Sequence, residues 1–512
     1  MAFIRAASAF AVISWLCLSA RADDIAEAVK GFRNGLQEVR WAVTFEKDKG
    51  TWRITDESIL AEARDFETDA GGLTGRLAQL PALRSLYISQ DDLRLSPVGC
   101  ERVSTLTQLR RLGFGSGYLV DSRELEGISG LPELQALSIN CKVSDEDLVS
   151  LKNFPKLRRL IVTDLSDAAW KHIKALSELE ELSLEGNHTT TAKQLAKLKG
   201  LGNLRSLSTW WVDTKGALAL KDLPHLEELR CRTSRETADF SALRGLKTLD
   251  VGFERNVRKL LLPENLQQLT VSAEREFDLS AKPLPKYVMH FEVHTYLDAA
   301  KKKALREWLA SIPQLVELTQ WEVRDDDLKG MAALKSLRRL SIGAMCVGAV
   351  SDEGMKAIGE LEQLEALNLR ICIYDVSADV WRDSLRKLQG LKELSLMALF
   401  DKEPERLAAI GELKGLRSLT LEYDDLDAKL PYLENLGELE ELILRGKVTD
   451  EGLKHLTGLK KLRRLDLACD SFSDDALISL MRALPKLRVV KLGTFDVPRT
   501  MFPEKSTVAP IQ

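Results

Sequence analysis

From residue 80 onward, apolar positions recur at fixed intervals, and their period changes within each stretch of some two dozen residues. Residues 448–467, VTDEGLKHLTGLKKLRRLDL, contain one full cycle. Leu453 and Leu456 stand at helical spacing. Thr449 precedes them as a helix N-cap. Asp450 and Glu451 lie in the first turn, where the helix dipole favours acids, and Gly458 can stop the helix. Leu459, Leu462, Leu465 and Leu467 then fall three, three and two apart. The last pair alternates about Asp466, the period of a strand with one buried face. The cycle predicts a short helix, a turn and a short strand. Such a unit cannot bury its apolar side alone and needs a neighbour on each side.

The neighbours are present. The same L-x-x-L-x-x-L-x-L spacing appears in LPALRSLYI (80–88), LPELQALSI (131–139), LSELEELSL (176–184), LEQLEALNL (361–369), LKGLRSLTL (413–421) and LGELEELIL (436–444). Counting the second apolar position of each copy, weaker ones included, gives 18 copies from Leu83 to Leu487, spaced 20 to 27 residues apart. That interval and pattern resemble a leucine-rich-repeat protein of the type with helices on its convex side. The helix openings SDEDL (144–148), SDEGM (351–355), TDEGL (449–453) and SDDAL (473–477) resemble those of secreted bacterial members. The resemblance implies an α/β solenoid, a horseshoe or arc with a parallel β-sheet on the concave face and short helices on the convex face. It also implies protein binding, and it carries no catalytic motif to transfer. Repeats 8 to 11 depart most from the pattern, so an irregularity is expected there.

The ends differ from this array. Residues 1–22, MAFIRAASAFAVISWLCLSARA, have a basic Arg5, an apolar run over 6–18 and a small-x-small ending at Ala20-Arg21-Ala22. This reads as a secretory signal peptide. Residues 23–79 read as an N-terminal capping segment, since terminal repeats must close an exposed core. Within it, VRWAVTF (39–45) alternates like a strand, ITDESILAEA (54–63) resembles a divergent helix opening, and AGGLTG (70–75) reads as a turn. The solenoid spans 80–495, and 496–512, with three prolines, reads as a flexible tail. No stretch after the signal is long and apolar enough to span a bilayer. The expected location is exported, periplasmic or extracellular.

Composition narrows the function. At 512 residues one globular core would be unusual, whereas a solenoid core grows linearly. Net charge is −4 with both signs interspersed, and removal of Arg5 and Arg21 with residues 1–22 makes it −6. This speaks against nucleic acid as a partner. Six cysteines follow residue 22, most of them too far apart along an array to bridge. Cys231 reads as a small core residue, and Cys346 and Cys372, in neighbouring repeats, are the one pair placed to meet. The motifs of hydrolases, zinc proteases and nucleotide-binding loops are absent. The expectation is a non-enzyme without cofactor or metal. The acidic helix openings lack the glycine-punctuated loop of a calcium site and read as helix caps.

Strand alternation sorts each repeat into core and concave positions. The middle concave column is rich in Ser and Thr, which fits both relief of crowding and a polar floor for a partner. Repeats 6 to 11 are more distinctive. Trp210 falls on a concave position, Arg230 and Arg232 flank Cys231, and His290, Glu292 and His294 share a strand face. Trp321 is concave one repeat later, five strands or about 24 Å from Trp210. His290, Glu292 and His294 cannot readily share one metal ion, because alternate strand residues lie about 6.5–7 Å apart and bonds to zinc are near 2 Å. Trp and Arg are frequent interface anchors. The candidate contact residues are Trp210, Arg230, Arg232, His290, His294 and Trp321, for a protein or peptide ligand. Tryptophans covering irregular repeats is the competing reading of the same residues. At the level of function the alternatives are glycan recognition and a structural envelope role with lateral contacts.

Overall fold

The computed structural model describes residues 40–48, 51–62, 66, 72–80, 82–89, 95–114, 122–142, 147–163, 165, 167–185, 190–233, 237–253, 259–273, 290–295, 307, 309, 315–321, 323–344, 350–371, 376–397, 405–468 and 471–493. The expected signal peptide, the tail and the Cys346–Cys372 pair lie outside the described residues. So do the side chains of His290 and His294, although their strand is described. The chain divides into two compact units, Met1–Asn187 with Lys491–Gln512, and His188–Val490.

The first unit opens with an antiparallel hairpin of β1 (Arg40–Asp48) and β2 (Thr51–Glu62). The helix opening expected at 54–63 is instead a strand over its described residues, 54–62. The T-D-E pattern of a cap stands within ITDESIL, whose isoleucines and threonine also suit a strand, and pairing to β1 decides between them. Of the turn expected at 70–75, residues 73–75 instead begin a short helix, Leu73–Ala78, entered through a left-handed Gly72, and 70–71 lie outside the described residues. Parallel strands then follow: β3 (Leu83–Ser89), β4 (Arg111–Phe114), β5 (Ala136–Lys142), β6 (Arg159–Thr163) and β7 (Glu181–Glu185).

The second unit continues the same design. Its strands are β8 (Ser206–Trp211), β9 (Glu228–Thr233), β10 (Thr237–Asp239), β11 (Thr248–Phe253), β12 (Lys259–Leu261), β13 (Gln268–Ala273) and β14 (His290–Thr295). They continue through β15 (Glu317–Trp321), β16 (Arg339–Ala344), β17 (Ala366–Ile371), β18 (Glu393–Met397), β19 (Ser418–Asp425), β20 (Glu441–Lys447) and β21 (Arg464–Ala468). All except β10 and β12 form one parallel ladder, and those two pair with each other. An irregularity is expected among repeats 8 to 11, and these two strands lie in the links before repeats 8 and 9; the links before repeats 10 and 11 lie largely outside the described residues. Leu226, Leu246 and Leu266 are only 20 residues apart. That spacing is too short for a helix between strands, so a short strand replaces it. In the other links whose residues are described, short α- or 3₁₀-helices join the strands. Each unit is a leucine-rich-repeat solenoid.

The repeating leucines form the core. In the 448–467 cycle, Leu453, Leu456, Leu459, Leu462, Leu465 and Leu467 are each at most 1 % exposed. One backbone arrangement recurs from strand to strand. The Glu440 carbonyl accepts from both Arg463 N and Arg464 N, at 2.7 and 3.0 Å. The Arg417 carbonyl does the same for Glu440 and Glu441, and the Arg158 carbonyl for Glu180 and Glu181. This bifurcated bond holds each strand entry in step with the one before.

A second link joins helix openings. Asp427 accepts from the backbone N of Thr449 at 2.8 Å and from its hydroxyl at 2.5 Å. Asp450 does the same for Ser473, Asp325 for Ser351, and Asp352 for Ser377. The openings were expected to cap their own helices, and Ser351 and Ser473 do so, as does Ser377. Thr449 holds the N-cap position but makes no side-chain bond to its own helix, because its hydroxyl is given to Asp427. The aspartates add a task that a single repeat does not reveal. In the TDEG and SDEG forms the glycine makes room for the incoming carboxylate. A Cβ at Gly452 would lie 2.2 Å from Asp427 Oδ1, and one at Gly354 would lie 2.3 Å from Asp325 Oδ1. Val380 and Ala476 take the equivalent places elsewhere, so glycine gives closest approach but is not obligatory.

Two predictions follow from these links. Gly452→Ala should destabilise the second unit, whereas in an Asp427→Ala background the same change should be neutral or stabilising by about 0.5–1 kcal/mol, because alanine favours a helix over glycine. Urea unfolding of the four-member cycle measures the coupling, and additive effects would reject the contact. The bonds donated by Ser473's backbone and side chain hold the Asp450 carboxyl below its ordinary value. Its contribution is therefore present above the unfolded carboxylate pKa, about 3.9, and is lost as pH falls through the lower folded value. Asp450→Asn should flatten stability across that acid window while leaving the slope near neutrality unchanged.

Candidate functional site

The second unit's ladder aligns strand residues into three rows on the face opposite the helices. A middle row runs Ser208, Arg230, Asp250, Thr270, Glu292, Thr319, Ser341 and Asn368 by direct pairing. An entry row lies two residues earlier on each strand and an exit row two residues later. The rows separate His290, Glu292 and His294, because each belongs to a different one.

The entry row is charged and largely self-paired. Arg339 makes a two-pronged contact with Glu393, at 3.1 and 2.7 Å, reaching across the small Ala366 between them. That hydrogen bonding raises the pKa of Arg339 further above its ordinary value. Arg464 meets Glu441 at 3.2 Å, and just before the row Lys392 meets Glu365 at 2.7 Å. Lys392, Glu393, Arg417, Glu440, Glu441, Arg463 and Arg464 line a shallow charged cleft, with four cations against three carboxylates. Partly exposed pairs of this kind add little stability each.

In the middle row, Arg230 pairs with Asp250 one strand away at 2.6 Å. Between Arg230 and Arg232, Cys231 points the other way and is fully buried, so its thiol is pushed far above the usual range, first by burial and then by Asp250. It is a core residue, as the alternation suggests.

The tryptophans lie at the strand exits. The register of β8 against β9 shifts between Ser208 and Trp211, so the two strands hold unequal numbers of residues there. A bulge of this kind turns side chains away from strict alternation. Thr209 is buried while Trp210 and Trp211 are both half-exposed. The Arg232 guanidinium lies over the Trp210 ring, 4.5 Å from its centroid. Trp321 is also half-exposed and is five strands from Trp210 along the ladder. Its ring lies across Gly343 of the next strand, where a Cβ would come within 2.3 Å of Cε3. Arg370, one strand further, covers that ring at 5.4 Å from its centroid. Arg370 Nε also lies 3.4 Å from Met397 Sδ.

The structure therefore joins Trp210 to Arg232, ties Arg230 to Asp250, and leaves Trp321 at the other margin of the patch. Gly343 and Arg370 were missed in the sequence. The signal was available in the row two positions after the middle column, which reads Trp321, Gly343, Arg370. Among the described residues, no group of three or more histidine, cysteine, aspartate and glutamate side chains could hold a metal ion. The face is not uniformly open. In the first unit, the corresponding positions Tyr87, Ser138 and Ile161 are 0, 0 and 4 % exposed.

No family model matches the chain. Receptor like protein 21 of Arabidopsis thaliana is 27 % identical over 220 residues, which is 42 % of this chain and 21 % of that protein. The chain thus spans about a fifth of this curated relative. Among solved structures, an internalin from Listeria monocytogenes matches 68 % of this chain and 89 % of its own, at 18 % identity and a TM-score of 0.26. TLR13 in its complex with ssRNA13 matches 76 % of this chain and 66 % of its own, at 15 % identity and a TM-score of 0.34.

Trp321 should depend on the missing side chain beneath it. Gly343→Ala should lift the indole, changing near-ultraviolet circular dichroism and tryptophan emission without lowering the melting temperature by more than a few degrees. The spectral change should vanish in a Trp321→Phe background. A change that persists there would place its origin elsewhere.

Proposed function

We propose that this leucine-rich-repeat chain is an exported, non-enzymatic protein that binds a protein or peptide partner on its concave sheet face. Trp210, Arg230, Arg232, His290, His294 and Trp321 form the contact patch. The observation that carries this reading is the pair of half-exposed tryptophans at strand exits, each with an arginine over its ring. Rigid aromatic side chains already ordered by a neighbour lose little freedom on binding, which is what interface anchors require. Likeness to a receptor-like protein over part of the chain accords with a binding role. Export rests on the apolar run of residues 6–18 and the small-residue ending at 20–22. Among the described residues no helix is long and apolar enough to cross a membrane.

Glycan recognition remains the alternative at this same patch. It needs open indole faces for sugar rings, and Arg232 and Arg370 each cover one. That geometry favours a peptide.

The reading is tested by affinity capture from the native envelope and secreted fractions. The bait is compared with a variant carrying Trp210→Ala, Arg230→Ala, Arg232→Ala and Trp321→Ala. The expected result is a protein retained by the first and lost by the second, with affinity reduced at least about tenfold, since each anchor contributes on the order of 1–2 kcal/mol. Equal capture by both baits would remove this patch as the binding site.

A further inference from the structure

We infer that Arg370 receives an aspartate or glutamate side chain of the partner, so that the concave site selects an acidic, extended peptide. This rests on the peptide-binding reading above. Most cations on this face have an acid within reach. Arg230 has Asp250, Arg339 has Glu317 and Glu393, Lys392 has Glu365, and Arg464 has Glu441. Arg370 is different. It is exposed, and its contacts among the described residues are the ring of Trp321 and the sulfur of Met397, neither of them anionic.

The site is built in layers. Gly343 lets the Trp321 ring lie against the strand, and the ring and sulfur then hold the guanidinium in place. A guanidinium stacked on an indole keeps its N–H edge available, and that edge matches a carboxylate with two parallel hydrogen bonds. Stacking also restricts the side chain before the partner arrives, which lowers the entropic cost of binding. Because the chain carries net charge −4, its long-range field does not draw an acidic ligand. Selection must come from the local cation. Glu422, paired with Met397 on the following strand in the same row, repels acid beyond that point and sets one limit of the site. A nucleic-acid strand suits the face less well, since its regular phosphates would meet Glu422 two strands from Arg370.

The test is panning of a random dodecapeptide display library on the purified protein and on the variants Arg370→Gln, Arg370→Lys and Arg370→Glu. Circular dichroism melts confirm that each variant folds. The protein should select peptides enriched several-fold in Asp or Glu at one position. Arg370→Lys should retain part of that enrichment, Arg370→Gln should lose it, and Arg370→Glu should select Lys or Arg there. Acidic enrichment that is absent, or that is unchanged in Arg370→Gln, overturns the inference. A non-acidic pool lost on Trp210→Ala and Trp321→Ala overturns the acid preference while leaving the peptide-binding reading standing. An empty pool overturns the inference, and the affinity capture then decides the protein-binding reading separately.

Discussion

In repeat after repeat, one carbonyl oxygen at the strand entry accepts from two consecutive N–H groups of the next repeat. The bond from Glu440 to Arg463 and Arg464 is one instance, and the bond from Arg158 to Glu180 and Glu181 is another. This arrangement sets both the distance and the phase between neighbours. Because side chains alternate along a strand, an error of one residue would turn every leucine out of the core. The buried leucines, the polar rows and the placement of the tryptophans all follow from that shared phase. Apolar burial supplies most of the driving force, while the backbone bond decides which residues stand side by side.

Once the phase is set, local differences between repeats acquire a meaning that none has by itself. Ala366 is unremarked in its own strand, but between Arg339 and Glu393 it is the gap across which they meet. Gly343 acts similarly toward Trp321, and Gly452 toward Asp427. In each case a small residue in one repeat accommodates a large or charged group from another. The chain thus stores interactions across a separation of one or two repeats, where a reading of consecutive residues does not find them.

This explains which parts of the protein were legible in its sequence. Leucine spacing is a property of every copy, so strand register and the buried set could be read directly. The middle row, from Ser208 through Arg230 to Asn368, pairs as the alternation implies. The hairpin strand over 54–62 reads as a helix opening because a cap pattern and a strand pattern overlap there, and only pairing with β1 separates them. Tryptophan and arginine drew attention to Trp210, Arg232 and Trp321 by residue type. Gly343 and Arg370 did not, since their significance is lateral. Nor does alternation tell how open a face is, as the burial of Tyr87 and Ser138 demonstrates.

The aspartate links at the helix openings carry a direction. Ser351 receives Asp325 from the preceding repeat, and the adjoining Asp352 reaches Ser377 of the following one. Thr449 and Asp450 repeat the arrangement between Asp427 and Ser473. Two adjacent residues therefore form a socket and a plug. A segment that carries both can be copied in tandem without altering its flanks, because every new junction is already matched. Lengthening such an array by duplication needs no second mutation to seal the seam, whereas a copy lacking either residue leaves one side open.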